Sequence, residues 1–478
     1  MAPSRWTDEV LSMLGAGYPL VQIVSYEEGR VESDLREACL AAGVTFVSTI
    51  PAEDPLETLA VAESHSGPAI VLVKDMHPHF SDHRLVRRIR DLVTVLPSRR
   101  VLLAFLSPLT DLPREMVRDT ALVDVPLPDA ACLESVAGEA CSRAAISGAP
   151  AGELATALTG LTLEEARRVL SKLLVMHGPA ALGSPSLVLE EKKKLVRVSG
   201  AMAIVEPDRS LDDLGGAGEL KRWLGERTRA FTREARDFGL PAPRGLLLAG
   251  VQGCGKSLAA RAIASYWSLP LCRLDMGLLM GLTSPEAALN EVFKVVEAMS
   301  PAILWIDEIE KVLQVEMRGA ASRILGSFVT WLSEKKSPVF TVATANDVDL
   351  LPPELARKGR FDEIFFFDLP DAADRAEIFA IHFRLRGLDS GLPDVKALAA
   401  QTEHFSGSEI EQSVIGALYR AFAAGRALEE RDLRISISET VPLYRTYEER
   451  IKALREWAHG RARPAALERR RIDLFEKE

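Results

Sequence analysis

The chain has 478 residues, 47% hydrophobic and 26% charged, and a formal net charge of −10. That balance is ordinary for a soluble globular protein with real cores, and the length suggests about three domains. The acidity argues against a nucleic-acid partner, which calls for a basic surface to neutralise phosphates. Cys39, Cys132, Cys141, Cys254 and Cys272 are odd in number and scattered, with no CxxC pair. This suits a reducing cytosol and speaks against structural zinc. The start, MAPSRWTDEV, has no signal-type apolar core, and no apolar run is long enough to span a bilayer. A cytoplasmic location without membrane contact is expected.

In chain order, residues 1 to about 128 alternate between strand and helix patterns and are apolar enough for a buried parallel sheet. Within them AIVLVKDMHPHF, 69–80, climbs through an apolar run to Asp75 and then turns polar. Residues 129–183 read as small helices, with LTLEEARRVLSKLL amphipathic at helical spacing. Residues 184–207, containing GSPS and EEKKKLVRVSG, read as a linker in which EEKKK is a solvated helical segment. Residues 208–370 form an α/β core, 371–435 a helical lid, and 436–478 a charged helical tail with Trp457 on one side. The basic cluster RARPAALERRR in that tail is expected to dock on the acidic body of the protein.

The strongest signal is GLLLAGVQGCGKS at 245–257, a strand followed by GxxxxGKS and then the helix former LAARAIA. The loop Gln252, Gly253, Cys254 and Gly255 would turn backbone N–H groups toward phosphates, and Leu258 follows Ser257 into the helix. Lys256 would neutralise phosphate charge, and Ser257 would take a place on Mg²⁺. Cys254 reads as a small filler, since no resolving partner surrounds it. AILWIDEIEK at 302–311 is a second apolar strand, ending in Asp307 and Glu308. Asp307 would hold Mg²⁺ through water and Glu308 would polarise the attacking water; paired carboxylates at a strand end are costly without a cation or water. VFTVATAND at 339–347 delivers Asn346, whose amide can orient that water. LPPELARKGRFDE comes next, with Arg357 and Arg360 as candidate arginine fingers.

These motifs in this order resemble the AAA+ ATPases. The resemblance covers roughly residues 208–425 and implies a P-loop AAA+ module, a parallel sheet core with a helical lid. It implies ATP and Mg²⁺ as cofactors and hydrolysis as the activity. It also places Leu214 and Gly215 of DDLGG beside the adenine. Ile378 and His382 of RAEIFAIH stand opposite, with Gly407 and Ser408 of FSGSEIEQ. It makes Asn346 sensor 1, and Arg357 with Arg360 a pair acting on a neighbour's ATP. A homo-oligomer, a hexameric ring, and an unnamed protein client follow from that logic. Over most of the chain the sequence is similar to the AAA+ proteins encoded by a hypothetical chloroplast reading frame and their bacterial relatives, through LPLCRLDMG, FVTWLSEKKSPVFTVATAND, ETVPLYRT and LREWAHGRARPAA. One stretch departs from the AAA+ pattern. LLMGLTSPEAALNEVF offers Met280 and Leu282 as a weak apolar pore loop, and TSPE stands where GESE is usual, which puts polypeptide threading in doubt.

Internal comparison then suggests that the architecture occurs twice. AIVLVKDMHPHF parallels AILWIDEIEKVL, VLLAFLSPLTDLPREM parallels VFTVATANDVDLLPPEL, ALVDVPLPDAACLESV parallels EIFFFDLPDAADRAEI, and LTGLTLEEARRVLSKLL parallels TEHFSGSEIEQSVIGAL, all in the same order. In the first copy SYEEGRVESDL replaces the P-loop. Asp75 then reads as the metal-binding half of the paired carboxylates, with Met76 in place of the base. Ser107-Pro108 stands near the sensor, and Arg114 and Arg118 stand near the finger region. This copy is expected to be a degenerate, non-hydrolysing module.

Overall fold

The computed structural model describes residues 5–108, 112–144, 146, 151–196, 200–314, 318–352, 354–355, 359–388 and 394–467. The chain divides into two compact units, Met1–Glu190 and Glu191–Glu478.

Among its described residues the first unit holds five strands, β1 (Leu20–Val24), β2 (Thr45–Thr49), β3 (Ala69–Lys74), β4 (Val101–Ser107) and β5 (Thr120–Asp124). They pair in the order β2-β3-β4-β1-β5, every pair parallel. Successive residues of β3 and β4 go to opposite faces. Val71, Val73, Leu103 and Phe105 pack with helix His83–Arg99, while Ile70, Leu72, Leu102 and Ala104 pack with helices Arg5–Ala16 and Glu28–Ala42. Both faces are covered, which is why the strands read as continuous apolar runs. Helices Ala130–Arg143, Ala151–Leu158 and Leu163–His177 come after the sheet. The last opens on a reciprocal capping box. Glu165 N donates to Thr162 Oγ1 at 3.2 Å, and Thr162 N donates to Glu165 Oε2 at 2.9 Å.

The second unit holds β6 (Met202–Val205), β7 (Gly245–Gly250), β8 (Leu271–Leu274), β9 (Ala302–Ile306), β10 (Val339–Ala345), β11 (Glu363–Phe367) and β12 (Arg463–Pro464). Their order is β12-β11-β7-β10-β9-β8-β6. Without the two outer strands, the order β11-β7-β10-β9-β8 is that of β5-β1-β4-β3-β2, strand for strand. The duplication inferred from four short segments is therefore present as one topology used twice. The lid consists of helices Ala372–Arg384, Val395–Gln401, Gly407–Ala423 and Glu430–Glu439 around Phe379, Phe383, Leu398, Ile410, Val414 and Leu433.

Ladder register corrects the reading of Asp75. Ala69 faces Val101 as Ala302 faces Val339, and Leu20 faces Leu103 as Gly245 faces Thr341. Counting along the strands puts Lys74 at the place of Asp307, Asp75 at that of Glu308, Met76 at that of Ile309 and Pro108 at that of Asn346. Asp75 and Glu308 share the same left-handed φ of 52°. Met76 and Ile309 are both 1% exposed. Asp75 is thus the counterpart of the candidate base, and a lysine stands where the metal-binding aspartate would be.

Three further expectations change. The stretch 184–207 is no free linker: it holds helix Pro185–Val196 and then β6, which pairs antiparallel with β8 and extends the sheet. In EEKKK, Glu191 and Lys192 are buried rather than solvated, and burial pulls the Lys192 ammonium down to about 8. Among the described residues of the tail, the end of helix Glu430–Glu439 is followed by helix Leu443–Ala458, whose Ile451, Leu454 and Ala458 enter the core with Trp457 packed against it. The tail then adds β12 to the sheet edge, parallel to β11. Of the basic cluster, Arg463 reaches Glu219 at 3.4 Å and Glu363 at 3.8 Å, while Arg469, Arg470 and Arg471 lie outside the described residues; before the cluster, Arg450 reaches Asp347 at 2.6 Å and Arg455 reaches Asp368 at 3.0 Å.

An aromatic cluster fills the face of the second sheet toward helix Gly218–Glu226. Phe340 meets Trp267 edge-on at 4.8 Å between centroids, Trp223 at 6.4 Å and Phe231 at 6.3 Å. Phe340→Ala would leave a large hole among rings that cannot collapse. The expected destabilisation is about 3–5 kcal/mol, measured as a lowered midpoint of urea unfolding.

Candidate functional site

Strands β7, β9 and β10 end side by side, and the segments leaving those ends build one cleft. After β7 the chain turns through Val251–Gly255 into helix Lys256–Trp267. The turn needs glycine at two places. Gly250 has φ 135°, and a Cβ there would lie 2.2 Å from Phe367 O; Gly253 has φ 77°, and a Cβ would lie 2.2 Å from Ser408 Oγ. The loop therefore passes close to β11 on one side and to the lid helix Gly407–Ala423 on the other. Ser408 N donates to Gly253 O at 3.0 Å.

Lys256 is the first residue of the helix and is 5% exposed. Its Nζ donates to Gly250 O at 2.8 Å and Val251 O at 2.7 Å. Burial pulls its pKa down to about 8. Cys254 is half-buried in the same loop, and burial pushes its thiol up to about 12. A thiol held neutral is no nucleophile, which agrees with a filler role.

Behind the loop, Asp307 Oδ1 accepts from Ser257 Oγ at 2.9 Å and from Thr344 Oγ1 at 2.8 Å. Thr344 Oγ1 also accepts from Glu308 N at 2.9 Å. Glu308 Oε1 accepts from Asn346 Nδ2 at 2.8 Å, and Lys311 pairs with its other oxygen. Asn346 N donates to Glu310 Oε1 at 2.8 Å. Glu310 is 3% exposed, and burial raises its pKa. Oxygen donors from Ser257 and Asp307 converge beside the loop, the hard-ligand chemistry that Mg²⁺ takes together with phosphate and water. The residues present fit that ion and a nucleoside triphosphate.

The other wall comes from Leu214, Gly215 and the lid. A Cβ on Gly215 would meet Ile378 Cγ1 at 2.7 Å, so Ile378 packs directly on this backbone and the two line the cleft together. Gly216 N donates to Glu377 Oε2 at 3.0 Å, which ties this wall to the lid. Leu214, Gly215, Gln252, Gly253, Cys254, Gly255, Lys256, Ser257, Leu258, Glu308, Asn346, Ile378, His382, Gly407 and Ser408 line one cleft. Asp307 lies directly behind it through Ser257.

Arg357 lies outside the described residues. Arg360 does not enter this cleft: its Nη1 donates to Val329 O at 2.7 Å and also bonds Ser333 Oγ. It thereby closes the end of helix Arg318–Glu334. Arg323 pairs with Glu286 of TSPE. Met280 and Leu282 do not make an apolar pore loop. Met280 ends helix Met276–Met280 at 5% exposed, and Leu282 packs against the same core.

Sequence reasoning misses several lining residues: Arg209, Arg261, Leu385 and Glu411. Arg386 stands behind them and holds two of the lining side chains. Its Nη1 lies 3.1 Å from His382 Nδ1, and its Nη2 donates to Glu411 Oε1 at 2.9 Å. A guanidinium only donates, so Nδ1 is the acceptor and the ring proton sits on Nε2. Burial lowers the His382 pKa and keeps this ring neutral. A signal for them exists: Arg386 stands four after His382, and Glu411 four after Gly407, the spacing of neighbours on one helical face.

The charged form of Lys256 is the one that would meet phosphate, and it is lost as pH rises through about 8. Bound phosphate would restore the charge, so affinity is expected to fall as pH rises above that value, by up to about tenfold per pH unit. Titration with a fluorescent ATP analogue between neutral and alkaline pH reads this slope. A flat profile contradicts it.

Residues 246–369 match the model of the ATPase family associated with various cellular activities, AAA. Residues 6–125 match the SpoVK-like AAA ATPase N-terminal domain, and 131–199 the second domain of the same proteins. The uncharacterized AAA domain-containing protein ycf46 of Guillardia theta is 36% identical over 472 residues, 93% of each chain. That of Trieres chinensis is 36% identical over 496 residues, 97% of this chain and 99% of its own length. The proteasome-activating nucleotidase of Methanopyrus kandleri is similar over a shorter span, 34% identical over 225 residues, 44% of this chain and 51% of its own length. Among the described residues no helix is long and apolar enough to cross a membrane. With its doubled sheet, its P-loop and this near full-length likeness, the chain belongs to the ycf46 family of AAA ATPases.

Proposed function

We propose that the protein hydrolyses ATP with Mg²⁺ at the cleft of the second unit, and that it works as an oligomer remodelling or regulating a protein partner. One observation carries the chemistry. Glu308, the candidate base, is held by Asn346 at 2.8 Å, and Asp307 is held by Ser257 at 2.9 Å, beside a loop whose lysine is buried. Bound Mg²⁺ would supply charge neutralisation at the phosphates, with Ser257 and Asp307 as the residues that hold it. Lys256 leaves the loop carbonyls for phosphate oxygens. Glu308 takes the proton of the attacking water, and Asn346 fixes the direction from which Glu308 receives it. Leu214, Gly215 and Ile378 grip the base, and His382 presents an N–H edge on the lid side.

Oligomer formation rests on the arginines. Arg357 and Arg360 belong to the segment after β10, and Arg360 is already engaged within its own chain. A finger that completes the site would then come from a neighbouring copy, and a ring satisfies every site at once. The kind of work is narrowed by Met280, which is buried, and Leu282, which packs half-buried against the same core. Their burial favours a slow ATP-loaded switch or assembly factor over a motor that pulls polypeptide through a pore.

Glu308→Gln should retain ATP while slowing hydrolysis by about 10²-fold or more, the usual worth of a general base. Asp307→Asn should abolish turnover, whereas Asp75→Asn should leave it near normal, since no phosphate loop faces Asp75. Phosphate release and retained nucleotide measure all three, and equal losses from Asp75→Asn and Asp307→Asn refute the assignment.

Arg357→Ala should cut turnover by about 10³- to 10⁵-fold. Mixing this variant with Glu308→Gln should restore part of the activity, because some interfaces then pair an intact base with an intact finger. No recovery on mixing contradicts a trans-acting arginine.

A further inference from the structure

The two units carry the same five-strand order, and the first has kept the positions of a nucleotide site while changing the charges in it. In the second unit five residues, Val251 to Gly255, separate β7 from its helix; in the first, three residues, Ser25, Tyr26 and Glu27, separate β1 from its helix. That helix opens on Glu28 where the other opens on Lys256. Lys74 stands where the register places Asp307. Anion-binding lysine has become glutamate, and cation-binding aspartate has become lysine. The swapped groups meet: Lys74 Nζ lies 3.8 Å from Glu28 Oε2 and 3.3 Å from Glu32 Oε2.

The lid shows the same substitution. Helices Leu163–His177 and Gly407–Ala423 both begin at a capping box and both touch the loop after the corresponding strand of their own sheet, β1 or β7. In the second unit the latch is neutral, Ser408 N donating to Gly253 O at 3.0 Å. In the first unit Leu163 N donates to Glu27 Oε1 at 2.7 Å. Glu27 is 5% exposed, and its other oxygen takes Arg30 Nη1 at 2.5 Å. A carboxylate buried against the amino end of a helix and a guanidinium has the surroundings that phosphate receives at such sites.

We propose that Glu27 and Lys74 are built-in occupants of the first unit's anion and cation positions, so that its core and helical lid are latched without nucleotide. The second unit is left as the one whose lid answers to ATP. The proposal rests on reading Lys256 and Asp307 as a nucleotide site, but its test is read in the first unit alone.

The test is hydrogen exchange followed by mass spectrometry on the full chain carrying Lys256→Ala, which removes phosphate binding in the second unit. Peptides covering residues 163–170 are expected to exchange at the same rate with and without saturating Mg-ATP. Adding Glu27→Ala should speed exchange there by about tenfold. Acetate, a small carboxylate, should restore part of the protection where chloride at equal ionic strength does not. If Glu27→Ala does not fold, Glu27→Gln, which keeps the shape and one acceptor, is expected to give a smaller increase. Three results overturn the proposal: ATP slowing exchange at 163–170 in the Lys256→Ala chain, unchanged exchange on removing the carboxylate, or acetate acting no better than chloride.

Discussion

One aspartate oxygen holds the site together. Asp307 Oδ1 sits at the end of β9, a strand of wholly buried apolar residues, and takes hydroxyl hydrogen bonds from Ser257 and Thr344. Those two donors belong to the helix after β7 and to β10, so three strand ends are fixed to each other through one acceptor. Thr344 passes the constraint on by accepting from Glu308 N, which sets the left-handed turn that aims Glu308 at Asn346. A half-buried carboxyl is tolerated there because its oxygen accepts two hydrogen bonds. The adjacency itself comes from strand order, which places β10 between β7 and β9. Ligand sites in open parallel sheets form outside the carboxyl ends of strands for this reason.

Much of this is legible in the sequence. GVQGCGKS, LWIDEIEK and VATAND each couple an apolar run to a polar residue whose chemistry has few other uses, and all three meet in one cleft. The register of the first unit is not legible. A strand buried on both faces carries no alternation, so AIVLVKD can be slid by one residue against AILWIDE without violating any pattern. Aligning the two aspartates is the natural choice, and it is off by one position. Only the ladder partners of Ala69 and the shared φ of Asp75 and Glu308 decide the matter. The misreading of Met280 has another cause. Its burial depends on the surfaces that helix Met276–Met280 packs against, and that information is not local to LLMGLTSPE. Glu191 and Lys192 escape for the same reason, since EEKKK has the composition of a solvated helix and tertiary packing overrides composition.

The two units then make a controlled comparison within one chain. Strand order and lid capping are the same, while the charges at the strand ends differ. Fold is preserved because it depends on the apolar faces of β3, β4, β9 and β10 and on Thr162 and Ser406 as helix caps. The strand-end side chains are not preserved because the core does not need them. Replacing a lysine and an aspartate by a glutamate and a lysine leaves a pair of opposite charges near the strand ends in both cases, so the sheet tolerates either set.

The carboxyl-terminal segment shows how the pocket entrance is tied to the sheet. Ala465 O accepts from Glu219 N at 2.9 Å and Leu220 N at 3.3 Å, amides of the first turn of helix Gly218–Glu226 that no intrahelical carbonyl can reach. Ala465 N donates to Phe366 O at 2.9 Å, so the same residue is anchored to β11. Glu219, 2% exposed, is neutralised by Arg222 and by Arg463 of β12 at 3.4 Å. Gly215 and Gly216 lie just before that helix, and Arg384 and Glu377 of the lid bind Asp213 and Gly216. The backbone at Gly215 and Gly216 is thus held on one side by β12 and on the other by the lid. Under the proposed reading, any shift of Ile378 and His382 on nucleotide would work against a backbone that β12 holds in place.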